Sequence, residues 1–469
     1  VSSAEPLAPK LQRGAAAIAA GAVASRLLQL AAYALLARQL APSDFGALSL
    51  ASVAVNALAL LPGLGLGTAL LAQPDDPRRV ARTALSAALL GGAVVVAAAL
   101  AVGVAVTRSK GAEVGELVPL LGIALFFQGP GTIAGALLDR ELRFAPRVAA
   151  DVAGGVAFAA VALLAARSGL GARSLALGLV ASAFTQSAVA LGAARLAPTL
   201  KPRWRELRGA SRLGALVLAT TLLQWLFVSS DVVWIERRFG RDALGLYSTA
   251  LQLAMAPATA LGLFSSRLAL PALVHARDVG APRGAGFLRA TAAAAALAAV
   301  PAALFVVAPQ PLIALLYGPR FAGCAPLLPL LAIHSFARVL GGLAGPALLS
   351  TGFARAPLAL VLAQNLVAIP LAGLVPAEYG AAGVALVYSL VAAVACVVAL
   401  RLGAARLDLR GDGTLRAALL PWIGAVAPAV AGALLFQHGH WHGGWIGLAA
   451  GLAVLVLQTR HRWRRGACA

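Results

Sequence analysis

Four ionisable side chains lie inside runs that are otherwise almost wholly apolar: Arg26, Asp231, His334 and Arg338. Arg26 and Arg338 fall roughly midway along theirs. An arginine at the centre of a membrane helix costs about 2.5–3.5 kcal/mol on insertion scales, so something must compensate. Phosphate oxygens would do so, because guanidinium is always charged and its planar fork matches them. His334 precedes Arg338 by four residues, which places both on one helical face and offers a second donor. A structural reading stands beside this one: either arginine can bond backbone carbonyls of a broken neighbouring helix, or pair with Asp151 or Asp231.

Asp231 belongs to the stretch LFVSSDVVWIERRFG, residues 226–240. It precedes Arg237 by six residues, so it lies about 9 Å inside the end of a helix rising 1.5 Å per residue. Two roles fit. In one it pairs locally, with Arg237 and Arg238 close by. In the other it faces a cavity and serves gating or ion coupling, the coupling ion being Na+ or H+. Gln29, Gln224 and Gln252 are amides within apolar runs, suited to sugar hydroxyls, and Trp225 offers an aromatic face for stacking. Hydrogen bonds between helices are the other role for such residues. Cys324, Cys396 and Cys468 form no metal-ligand spacing and no paired framework, so no metal site or cofactor is expected.

These residues need elements to hold them. The chain of 469 residues is 61% hydrophobic and 12% charged, with a mean hydropathy of +0.88, which marks an integral membrane protein. The apolar runs are long and unbroken, as helices about 20 residues long require and barrel strands do not. The expected fold is all-α. Spans are read near 14–37, 45–71, 83–106, 117–138, 148–166, 174–194 and 213–236, then near 244–266, 287–308, 325–350, 357–375, 380–400, 415–435 and 443–459, fourteen in all.

Charge sets the orientation. With the N-terminus cytoplasmic, 27 basic residues lie in or at the mouths of the cytoplasmic segments and 9 in the opposite connections, leaving Arg26 and Arg338. Cytoplasmic loops collect Lys and Arg, so both termini are expected inside. The net charge of +21 is thereby spread over short loops beside anionic lipid headgroups, which argues against nucleic acid as a partner. The first 13 residues are too polar, and the run after them too long, for a cleaved signal peptide. No G-x-x-x-x-G-K-[ST], H-E-x-x-H or G-x-S-x-G occurs, and no D-x-D pair, so no enzyme is expected. A sugar polymerase or ligase would bring a large exported loop; here those loops are short.

One internal repeat stands out. ARQLAPSDFGALSLA (37–51) aligns with ERRFGRDALGLYSTA (236–250) at an offset of 199, matching Arg38 with Arg237, Gly46 with Gly245, Ser49 with Ser248 and Ala51 with Ala250. Both copies join the end of one span to the start of the next, six spans apart. An even separation keeps their orientation and implies two parallel six-helix lobes, an arrangement that encloses substrate sites near mid-membrane. The expected organisation is a tail (1–13), an N-lobe (14–196), a basic linker (197–212), a C-lobe (213–402), an extra helix pair (403–459) and a basic tail (460–469).

LLARQLAPSDFGALSLA, DVVWIERRFGRDALGLYSTA and YGPRFAGCAPLLPLLA together resemble the Wzx-type polysaccharide flippases of the multidrug/oligosaccharidyl-lipid/polysaccharide exporter superfamily. The resemblance implies translocation of polyprenyl-pyrophosphate-linked oligosaccharide across the bacterial inner membrane, for surface polysaccharides such as O-antigen or exopolysaccharide. It also implies membrane lipids, a polysaccharide polymerase and export machinery as partners. An Asp at this point of the seventh span is familiar in such proteins. Arg26, Arg338 and His334 are then expected at a pyrophosphate, and Gln29, Gln224, Trp225 and Gln252 near sugar. Two alternatives are a cation-coupled small-molecule exporter and a non-transporting scaffold for envelope assembly. Central arginines favour an anionic substrate over a cationic drug, and a scaffold has little reason to keep mid-membrane charges.

Overall fold

The computed structural model describes residues 27–59, 77–199 except 142, 211–278 and 283–407 except 352 and 354, together with Gly21, Ala24, Ser25, Leu409, Arg416 and Leu420. Arg26 lies outside these residues, as do the expected spans at 415–435 and 443–459 apart from Arg416 and Leu420. Every regular element among the described residues is helical.

Six long elements come first: α1 (Leu27–Ala37), α2 (Pro42–Ala59), α3 (Pro77–Lys110), α4 (Leu117–Arg140), α5 (Phe144–Arg167) and α6 (Ala172–Ala194). Ser211–Asp278 follows as one helical run broken at Gly240, whose φ of 83° and ψ of 179° are non-helical. A positive φ is open to glycine at little cost. We call the segments on either side α7 (211–239) and α8 (241–278). α9 (Arg283–Val307), α10 (Leu328–Ser350), α11 (Arg355–Leu374) and α12 (Gly380–Arg406) complete the set. Between α9 and α10 run a short helix, Pro309–Leu316, and a 3-10 turn, Pro319–Leu327.

Eight helices among the described residues are long and apolar enough to cross a membrane. The protein is therefore a multi-pass membrane protein. Its outward faces carry the large side chains expected against acyl chains, including Leu90, Val94, Leu164, Phe184, Leu366 and Val394.

The chain forms two compact units. Val1–Trp225 with Arg241–Gly245 make the first, and Leu226–Gly240 with Leu246–Ala469 the second. In the first, α4 packs against α3 and α6, and α6 also against α5. Val80, Ala84, Leu85, Ile133, Leu137, Ala190 and Ala194 form one core cluster there. Small residues permit the close crossings: Gly131 lies against the Ser187 backbone at 3.2 Å from where a Cβ would stand, and Gly178 against the Phe158 ring at 3.0 Å. In the second unit α10 packs against α9 and α12, and α12 against α11. Its core gathers Phe287, Ala295, Leu340, Leu343, Ala344, Ala347 and Leu400.

The connections are tied by polar contacts. Asp44 accepts from the Ala41 backbone N–H at 2.9 Å and so caps the start of α2. Arg241, just past the Gly240 break, donates to Glu113 at 2.8 Å and to the Lys110 carbonyl. The repeat copies meet there within the first unit. A Cβ on Gly46 would collide with the Arg241 carbonyl, and a Cβ on Gly245 with that of Pro42. At the offset of 199, Pro42 is the equivalent of Arg241 and Gly46 of Gly245, so the contact is reciprocal.

Candidate functional site

The break at Gly240 folds α8 back along α7. Asp231 stands nine residues before the break and Tyr247 seven after it, which brings them together. Asp231 is 4% exposed. The Tyr247 hydroxyl donates to Asp231 Oδ2 at 2.5 Å, and the Val232 N–H to Oδ1 at 2.7 Å. Beside it the Ser230 and Tyr388 hydroxyls share a hydrogen bond of 2.6 Å. Phe227 fills the space next to this pair, its ring centroid 5.1 Å from that of Tyr388 and 6.5 Å from the stacked His334 ring. Thr249 Oγ1 and Ser389 Oγ are buried and have no hydrogen-bond partner among the described residues. α7, α8, α10 and α12 thus contribute to one buried polar cluster within the second unit.

The expected local pairing of Asp231 with Arg237 or Arg238 does not form. Arg237 is exposed. Arg238 donates instead to the Ala372 and Gly373 carbonyls at the end of α11, at 3.3 and 3.2 Å. Those carbonyls lack helical partners and draw the guanidinium away. What remains around Asp231 is a carboxylate, two phenols and a serine hydroxyl. Oxygen atoms in that arrangement can take up a proton or a hard cation.

Arg338 and His334 have different surroundings although one helical turn separates them. His334 is buried, stacked on Phe227 and beside the Tyr388 backbone, so its ring belongs with the Asp231 cluster. The two still share a face of α10, as their spacing of four requires, and the Arg338 charge acts on the His334 ring. Arg338 is exposed on its unit, at the eleventh of the 23 positions of α10. No ion pair or hydrogen bond joins it to another described residue.

Gln224 and Trp225 are half-buried on α7, and their Nε2 and Nε1 atoms are buried without a hydrogen-bond partner among the described residues. Gln29 is half-buried on α1, and Gln252 is exposed on α8. No group of three His, Cys, Asp or Glu side chains able to hold a metal ion occurs among the described residues. Sequence reasoning missed Tyr247, Tyr388 and Ser230. The signal for Tyr247 was present, because a turn centred near Gly240 pairs positions whose numbers sum to about 478.

Comparison with known proteins places the chain. A family model described as polysaccharide biosynthesis protein matches residues 35–326. The succinoglycan biosynthesis transport protein ExoT of Rhizobium meliloti is 27% identical over 229 residues, covering 48% of this chain and 45% of that relative, so the match spans less than half of its length. Among solved structures, a lipid II flippase MurJ in an inward closed conformation superposes with a TM-score of 0.71 at 12% identity, covering 96% of this chain and 99% of the other. An inward-facing multidrug resistance MATE family transporter of the MOP superfamily gives a TM-score of 0.66 at 17% identity, covering 82% and 94%. At these identities the structural matches establish a shared fold. The family match covers more than half of the chain and agrees with the resemblance to Wzx-type proteins: the chain belongs to the polysaccharide biosynthesis protein family.

Proposed function

We propose that the protein is a flippase that carries polyprenyl-pyrophosphate-linked oligosaccharide from the cytoplasmic to the exported leaflet of a bacterial inner membrane. One observation carries the reading: Arg338 stands at mid-helix, exposed on its unit, with no ion pair or hydrogen bond to another described residue. The midpoint lies about 15 Å from either helix end at 1.5 Å per residue. A guanidinium at that depth cannot face acyl chains cheaply, so it faces a polar space, and a pyrophosphate fits its fork. Arg26 is its proposed counterpart on the first span. Gln224 and Trp225, whose side-chain N–H groups have no partner among the described residues, are the proposed sugar contacts, joined by Gln29 and Gln252.

In this mechanism the lobes open in turn to either side while the lipid tail stays in the bilayer. Net transport requires the two states to bind the substrate or the coupling ion differently. Asp231 is the proposed coupling group, taking Na+ or H+ within the cluster of Tyr247, Tyr388 and Ser230. Polysaccharide polymerase and export machinery are the proposed partners after release. A cation-coupled drug exporter shares this fold, and a cationic side chain at mid-helix with no partner among the described residues disfavours it.

The test is headgroup accessibility of a polyprenyl-pyrophosphate oligosaccharide in reconstituted vesicles at matched protein amounts. Arg338→Ala is expected to lower translocation about tenfold or more, and Arg338→Lys to restore part of it, because an ammonium keeps the charge without the bidentate fork. Parental rates in the Ala variant would overturn the cationic site.

A further inference from the structure

Among the described arginines of the first unit that are partly buried, Arg147 is the least well satisfied. Its side chain is 20% exposed. Its Nε is buried without a hydrogen-bond partner among the described residues. Its one ion pair among the described residues, from Nη2 to Asp151 Oδ1 one turn further along α5, is 3.6 Å long, beyond a good hydrogen bond. Asp151 Oδ1 also accepts from Gln186 Nε2 on α6 at 2.5 Å. Nearby arginines do better: Arg78 reaches Glu141 at 2.8 Å, and Arg143 the Ala193 carbonyl at 2.9 Å.

The surroundings of Arg147 leave room for its guanidinium. Nη1 lies against Gly135 of α4, in the volume a Cβ would take. Ser25, preceding α1, donates to the Asp151 backbone carbonyl at 3.4 Å, and Gln186 of α6 to its carboxylate, so the α1 end of the chain, α5 and α6 meet at this residue. Arg147 is three residues beyond Phe144, where α5 begins, which puts it about 5 Å along the helix. On the orientation read from charge, that is the cytoplasmic headgroup level, where phosphate esters of membrane lipids reside.

We propose that Arg147, in the space cleared by Gly135, binds the phosphate ester of a lipid headgroup at the cytoplasmic face, with Asp151 as the displaceable anion that holds the guanidinium when the site is empty. Among the described residues the guanidinium makes one ion pair, at 3.6 Å, which leaves donors of its fork for phosphate oxygens. The pyrophosphate of a carrier lipid is preferred over a phosphodiester because its charge is larger; that preference rests on the function proposed above, while the site itself does not.

The experiment measures binding of polyprenyl pyrophosphate, and separately of phosphatidylglycerol, to the full chain in nanodiscs of neutral phosphatidylcholine. Arg147→Gln is expected to weaken pyrophosphate-lipid binding about tenfold, and Arg147→Lys to recover part of it. Gly135→Ala, which keeps the arginine but fills its space, should weaken binding in the same direction. Asp151→Asn should tighten it, by removing the competing charge while still accepting from Gln186; a merely structural pair would show a loss there. Equal losses for both lipids in Arg147→Gln would assign the site to anionic headgroups generally and support it. Parental binding of both lipids in Arg147→Gln, or weaker binding in a folded Asp151→Asn, overturns the site. Neither result bears on Arg338, whose own test decides the function.

Discussion

Asp231 receives hydrogen bonds from the Tyr247 hydroxyl and the Val232 amide, and no cationic side chain among the described residues pairs with it. Among those residues a charge there is balanced by hydrogen-bond dipoles. Asp231→Asn is expected to slow translocation and flatten its dependence on pH or Na+ at unchanged protein level. Full activity with the parental ion dependence would return Asp231 to a packing role. Arg338 and His334 mark the limit of residue-level reading from sequence. Their spacing of four placed them on one face, but a face of α10 does not say that Phe227 of α7 would stack on one ring and leave the other side chain open. That depends on neighbours far away in sequence.

At the scale of elements, the hairpin of α7 and α8 turns on one residue. Gly240 has φ of 83° and nothing within 4 Å of where its Cβ would stand, so a side chain there costs backbone strain and no collision. Gly240→Ala is expected to destabilise the protein by about 1–3 kcal/mol, because φ of 83° with ψ of 179° is a backbone region that essentially only glycine adopts. Thermal unfolding in detergent reads the difference; an unchanged midpoint for Ala would show that the turn tolerates another backbone path. Helix positions were legible because apolar length sets them. The expected 117–138 and 174–194 became Leu117–Arg140 and Ala172–Ala194. α3 exceeds the expected 83–106 at both ends, because Pro77–Arg82 and Thr107–Lys110 continue its backbone ladder with polar side chains that hydropathy does not count. The helix Pro309–Leu316 and its 3-10 extension were expected as connection, their apolar runs being too short to read as a span.

Across the whole molecule, orientation rests on charge alone, and a fusion assay checks it. Alkaline phosphatase joined after Gly111, between α3 and α4, should be active, and after Arg143, between α4 and α5, inactive; the reverse pattern would invert the topology. The repeat at 37–51 and 236–250 was visible in the sequence, yet its meaning was not, since an alignment does not say that two copies touch. They do, through equivalent positions, with the carbonyls of Pro42 and Arg241 each occupying the place where the other copy's glycine lacks a side chain. A duplication joined in this way cannot drift copy by copy. The two glycines share one clearance, so a methyl group gained at position 46 or at 245 widens the same crossing, and no compensating loss remains at its twin. The copies differ at Phe45 and Leu244, and at Leu48 and Tyr247, whereas at the crossing a side chain added to either glycine is felt by both copies at once.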